Sequence, residues 1–129
     1  VRRYAASGKK VVGVIQFDMT NFKGSDDDIY LLTDNVDAGL TAFLGRIIDA
    51  YVLVPWSTTE CGYGCSDHAS WTNGGYAASA AFEASLNGIN RNIHSDRDTL
   101  ANSGGGAKHS VGFAKLAAAF AVELAKTAP

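Results

Sequence analysis

Apolar positions in the first part of the chain come in blocks. Val11-Val12-Gly13-Val14-Ile15-Gln16-Phe17 is a nearly continuous, β-branched run that stops at Asp18. Continuous apolarity is what a strand covered on both faces requires, so residues 11–17 are predicted to lie in the middle of a parallel sheet. A polar loop through Asn21, Lys23, Gly24 and Ser25 leads to a second strand over 29–33. From 37 to 51 the period changes. Leu40, Phe43, Leu44, Ile47, Ile48 and Tyr51 recur every three or four residues, the stripe of a helix face, and Asp37 is placed to cap it. Val52-Leu53-Val54 reads as a third strand closed by Pro55, and Ser66 or Asp67 opens a short helix through Trp71, ended by Gly74-Gly75. Small apolar residues over 76–82 form a fourth strand. Residues 83–107 carry no period, and an irregular stretch of that length inside a compact domain is usually functional. The last helix runs over 108–126, with Phe113, Leu116, Ala117, Phe120 and Leu124 on its core stripe. Strands separated by helices, with no repeat and no linker, predict a single α/β unit.

Composition narrows the functions available. Of 129 residues, 47 % are hydrophobic and 19 % charged, with 13 acidic side chains against 11 basic ones. That balance excludes a disordered tail. No basic run exceeds a pair such as Lys9-Lys10, so there is no row of cations for a nucleic-acid backbone. No apolar stretch approaches the roughly 20 residues of a membrane span. The Ala-rich end comes nearest, and Lys115, Glu123 and Lys126 interrupt it. The start, Val1-Arg2-Arg3-Tyr4, has no initiator Met, signal core or cleavage site, which is expected of a processed or truncated polypeptide.

Three groups of residues could carry chemistry. Asp18 ends a buried strand, where ligands gather in α/β sheets, and a carboxylate there suits zinc or magnesium; the bland reading is a turn-capping Asp. In Cys61-Gly62-Tyr63-Gly64-Cys65-Ser66-Asp67-His68 the cysteines are either half of a zinc site or a disulfide hairpin with Tyr63 at its apex. A structural zinc wants four ligands and no other Cys exists, so the disulfide is the better reading, and it points to an oxidising compartment. Such a bridge closes a short loop and restricts the unfolded chain by only about 2 kcal/mol, so it shapes the loop more than it staples the fold. His94 lies in the long irregular loop, where a neutral imidazole can serve as a metal ligand. His68 and His109 have weaker claims, lying at helix starts.

Taken together, Phe17-Asp18-Met19-Thr20-Asn21-Phe22-Lys23-Gly24-Ser25, then Cys61 to Trp71, then Ile93-His94 with Asp98-Thr99-Leu100-Ala101-Asn102 resemble the M28 peptidase family. The resemblance is to its secreted bacterial leucyl aminopeptidases of the Vibrio type. It covers essentially the whole chain and implies the C-terminal part, residues 1–129, of one catalytic domain: a mixed, largely parallel sheet between helices, with two zinc ions at the strand ends. By motif, Asp18 resembles the carboxylate ligand of one zinc and His94 the imidazole ligand of the other. Tyr63 resembles the phenol that hydrogen-bonds the developing oxyanion, and Cys61 and Cys65 resemble the disulfide beside the pocket. Met19, Phe82 and Ile93 match the wall around the substrate's N-terminal side chain, and Leu32, Leu86 and Ile89 suit the same wall. The implied substrate is a peptide N-terminus with a large apolar residue, and the implied location is outside a bacterial cell.

The family's other site residues, a His, a bridging Asp and paired Glu residues, lie upstream of this chain's first residue. Glu60, Glu83 and Glu123 do not stand in that motif. Two ligands of five are therefore present and no general base, so the chain alone is expected to be inactive and to depend on the absent N-terminal half. Ala77-Ala78-Ser79-Ala80-Ala81, where relatives often place proline and a bulkier residue, bears on the pocket's depth. The competing expectation is a non-catalytic binding module that keeps the scaffold. A hydrolytic site built only from Asp18, Asp67, His68 and His94 is a third, poorer option.

Overall fold

The computed structural model describes residues 1–127. Four strands form one sheet: β1 Val14–Phe17, β2 Ile29–Leu32, β3 Trp56–Thr59 and β4 Ala78–Phe82, in the order β1-β4-β2-β3. β1 runs parallel to β4 and β2 parallel to β3, while β2 and β4 are antiparallel, so the sheet is mixed.

The two central strands, β2 and β4, are buried at every position. β1 is half-buried throughout, because among the described residues it pairs with β4 alone. Among the described residues, then, β4 rather than the expected β1 is buried on both faces, and β1 stands at the edge with apolar side chains. β1 is also three residues shorter at its start than expected; Val11 to Gly13 approach the sheet without pairing.

Alternation along β2 and β4 divides the core into two layers. Ile29, Leu31 and Ala81 face one side, under α2 (Ala38–Ile47) and the last helix, where Leu44, Ile47, Ile48, Phe113 and Leu116 close the main cluster. Leu32, Ala80 and Phe82 face the other side with Cys61. The short helix α3 (Asp67–Asn73) packs on β1 and β4. Asp37 caps α2 as expected, its Oδ1 accepting from the Leu40 amide at 2.7 Å.

The third strand is displaced from its expected place. Val52 belongs to a π-helical turn, Ile48–Val52, that continues α2, and Leu53 ends it in the left-handed region at φ 60°. The strand begins only after Pro55, as Trp56-Ser57-Thr58-Thr59. An edge strand needs no apolar run, so its polar sequence gave no periodic signal. A helix over Arg2–Ser7, α1, was not expected either; the Tyr4 ring sits edge-on to Trp71 at 5.4 Å. The final helix, α4, spans Ser110–Thr127 and buries Phe113, Leu116 and Phe120 on the expected stripe. Between β4 and α4 the chain is irregular apart from a 3-10 turn at Leu100–Ser103.

Candidate active site

The parallel strands β1 and β4 end side by side, and a cavity of about 340 Å³ opens there. Asp18 and Met19 enter it directly from the end of β1, and Phe82 from the end of β4. The disulfide loop contributes Cys61, Tyr63 and Cys65, and the long irregular loop contributes Leu86, Ile89, Ile93, His94 and Asp98. Segments separated by more than 70 residues thus converge on one concavity with an apolar wall and a polar rim.

Asp18 and the disulfide loop are held by side chains from other elements. Asp18 is half-buried, and its Oδ2 accepts a hydrogen bond from Ser66 Oγ at 2.7 Å. Ser66 occupies the N-cap position of α3 without making a side-chain cap; its hydroxyl is committed to Asp18 instead. Cys61 and Cys65 are joined by a disulfide. Asp34, just past β2, fixes the entry to that loop by accepting from the Cys61 and Gly62 amides at 3.0 Å each. Tyr63, at the apex, is 64 % exposed, so its ring reaches out over the cavity mouth. His94 is exposed and sits at φ 63°, in the left-handed region. Its loop is tied by Asn90 Nδ2 donating to Asp98 Oδ1 at 2.8 Å and Asn102 Nδ2 to the Arg97 carbonyl at 2.7 Å.

Leu32 is the one expected wall residue that does not line the cavity. It is fully buried on β2, packed among Cys61, Ala80 and Phe82, and supports the wall from behind. Asp98, Asp34, Ser66 and Glu83 were missed as contributors. Asp34, Ser66 and Glu83 reach partners 27, 48 and 62 positions away, which no local pattern announces, while Asp98 is held by Asn90 within its own loop. Asp67 lines a separate shallow cavity with Val1, Arg2 and Trp71, so a site made from Asp18, Asp67, His68 and His94 is not assembled.

His68 is fully buried, and neither ring nitrogen makes a hydrogen bond. Burial pushes its pKa below the ordinary 6.5, against weaker upward pulls from Asp34, Asp18 and Asp67. The imidazole thus stays neutral in the fold while the unfolded chain takes up a proton first. The stability this confers is present above pH 6.5 and is lost as pH falls from there through the lowered folded value. Thermal melts over that range should show the melting temperature declining as the unfolding free energy falls by at most about 1.4 kcal/mol per pH unit. His68→Met should flatten the decline; an unchanged acid limb in that variant would assign it to other groups.

The donor types suit zinc: a carboxylate and an imidazole line the same cavity, and among the described residues the His94 side chain makes no hydrogen bond or ion pair. Among the described residues, however, no three His, Cys, Asp or Glu side chains cluster closely enough to hold a metal by themselves.

Residues 2–119 match the model of peptidase family M28, and the chain belongs to that family. Leucine aminopeptidase 1 of Arthroderma otae is 36 % identical, the match covering 95 % of this chain and 34 % of that protein. A probable leucine aminopeptidase 1 of Trichophyton verrucosum is 38 % identical with the same coverage. Among solved structures, the Legionella pneumophila LapA aminopeptidase superposes with a TM-score of 0.89 at 37 % identity, covering 95 % of this chain and 33 % of LapA. The chain therefore spans about a third of the length of the proteins it matches. The mixed sheet flanked by helices is the one these aminopeptidase structures share.

Proposed function

We propose that this chain is the C-terminal part of the catalytic domain of a secreted, zinc-dependent aminopeptidase that releases large apolar residues from peptide N-termini. Residues 1–129 form that part, of which 128 and 129 lie outside the described residues. The observation that carries the reading is the single cavity joining Asp18, His94 and Tyr63 to an apolar wall. Asp18 and His94 would each hold one of two zinc ions, which when bound supply a polarised carbonyl and an activated water. The remaining work falls to this chain's own side chains. Met19, Phe82, Leu86, Ile89 and Ile93 take up the N-terminal side chain and exclude water from it. The Tyr63 hydroxyl, positioned by the disulfide and by Asp34, donates to the oxygen on which negative charge develops. Names of the relatives support leucine as a preferred residue, and the Cys61–Cys65 bridge supports an extracytoplasmic location.

The ligand count sets the test. A catalytic zinc has about three protein ligands, and this chain offers one to each. The purified chain should bind zinc weakly and leave leucine anilides uncleaved, and its half-exposed β1 edge should favour self-association. Supplying the rest of an M28 domain, by fusion or in trans, should restore tight zinc binding and hydrolysis, both lost in Asp18→Asn. Efficient hydrolysis by the monomeric chain alone would overturn the shared-ligand reading; no activity in any complemented form would overturn the aminopeptidase reading.

A further inference from the structure

We propose that Glu83 is a positioning residue for Asp18: a buried carboxylate that clamps the turn after β1 and so fixes where the Asp18 side chain stands in the cavity. The proposal rests on the reading of Asp18 as a zinc ligand.

Glu83 follows β4 directly and is 3 % exposed. A charge so far from water is retained only when it is well hydrogen-bonded. Its Oε2 accepts from two consecutive backbone amides, Asn21 and Phe22, at 2.8 Å each, the short distance of charge-assisted bonds. Its own amide donates to the Met19 carbonyl at 2.9 Å. Asn21 is tied further, its Nδ2 donating to the Gly106 carbonyl at 2.8 Å. No cation pairs with the carboxylate among the described residues, so its anionic charge is spent on this turn alone.

The turn needs such a hold. Met19, immediately after Asp18, has φ 60°, a left-handed conformation that an unbranched side chain adopts only when its surroundings impose it. Ser66 holds the Asp18 carboxylate at its tip; Glu83 holds the backbone from which that carboxylate projects. Release of the two amides would let Met19 relax toward negative φ and swing Asp18 out of line. Partners that orient a metal ligand typically govern affinity about 10- to 100-fold.

The experiment is zinc titration of the complemented domain, read by amide shifts with this chain 15N-labelled, for wild type, Glu83→Ala, Glu83→Gln and Asp18→Asn. Leu116→Ala serves as a control destabilised in the core, away from the site. Glu83→Ala should weaken zinc binding about 10- to 100-fold and speed hydrogen exchange at Asn21 and Phe22. Glu83→Gln, which keeps shape and an acceptor oxygen but loses the charge, should fall between Glu83→Ala and wild type. If Glu83→Ala does not fold, Glu83→Gln decides: affinity equal to wild type overturns the proposal. Wild-type affinity in Glu83→Ala beside a loss in Asp18→Asn also overturns it while leaving the zinc reading intact. An equal loss in Leu116→Ala overturns it as a mere stability effect. Unchanged affinity in Asp18→Asn brings down the zinc reading and this role together.

Discussion

Gly24→Ala is expected to be among the most damaging single-methyl changes in this protein. A Cβ at Gly24 would stand 1.8 Å from the Gly88 carbonyl oxygen and 2.6 Å from the Phe22 ring. The first obstacle is backbone, so no rotamer change relieves it. The same approach is tight from the other side, where a Cβ on Gly88 would meet Ser25 Oγ at 2.2 Å and the Gly24 oxygen at 2.5 Å. This is the seam between the loop that carries Asp18 and the loop that carries Ile89 and His94, and it is laced by Ser25 Oγ and Ser85 Oγ at 3.0 Å. Forcing it open costs about 3 kcal/mol, which for a chain of this size lowers the melting temperature on the order of 10 °C. Gly106→Ala is the control: a Cβ there meets nothing within 4 Å, and the change should stay within about 0.5 kcal/mol of wild type. Thermal melts followed by circular dichroism compare the two. Equal melting temperatures would mean that the loops separate freely and do not form a fixed cavity.

Tyr63→Phe carries the largest expected effect on catalysis. In the complemented, active domain, removing the hydroxyl should lower kcat about 10²- to 10³-fold, the cost of deleting one oxyanion donor, with KM little changed. The loop should survive the change. The disulfide and the two amide bonds to Asp34 hold it, and the Tyr63 ring is largely solvent-facing. Steady-state kinetics on leucine p-nitroanilide give the measurement. An unchanged kcat would remove Tyr63 from the oxyanion role.

Much of the candidate site was legible because its residues stand in contiguous motifs. Asp18 with Met19, the Cys61–His68 stretch and Ile93-His94 were singled out from sequence, and all but Leu32 of the expected wall and ligand residues line the one cavity. Leu32 stands on the face of the sheet that carries Phe82 and Cys61, but those side chains cover it, and spacing along a motif does not say which residue of a packed layer reaches the opening. The residues that hold the site were not legible. Asp34, Ser66 and Glu83 act on partners 27, 48 and 62 positions away, and no local pattern encodes such a pairing.

Local physics therefore determined the elements with a strong period or cap. The Asp37-capped helix, the Phe113–Leu116–Phe120 stripe and the two buried strands follow from side-chain spacing, which any chain of this sequence would express. Tertiary structure decided the rest. The polar edge strand β3 exists because β2 offers it a ladder, and Val52, read from its neighbours as strand, is instead the end of a π-helical turn that continues α2. β1 reads as central, and among the described residues it stands at an edge, since burial depends on which neighbours are present and not on the strand's own residues. The cavity itself arises only when β1 and β4 end together, because a carboxylate, a phenol and an imidazole from three loops become neighbours through the packing of strands and not through their order along the chain.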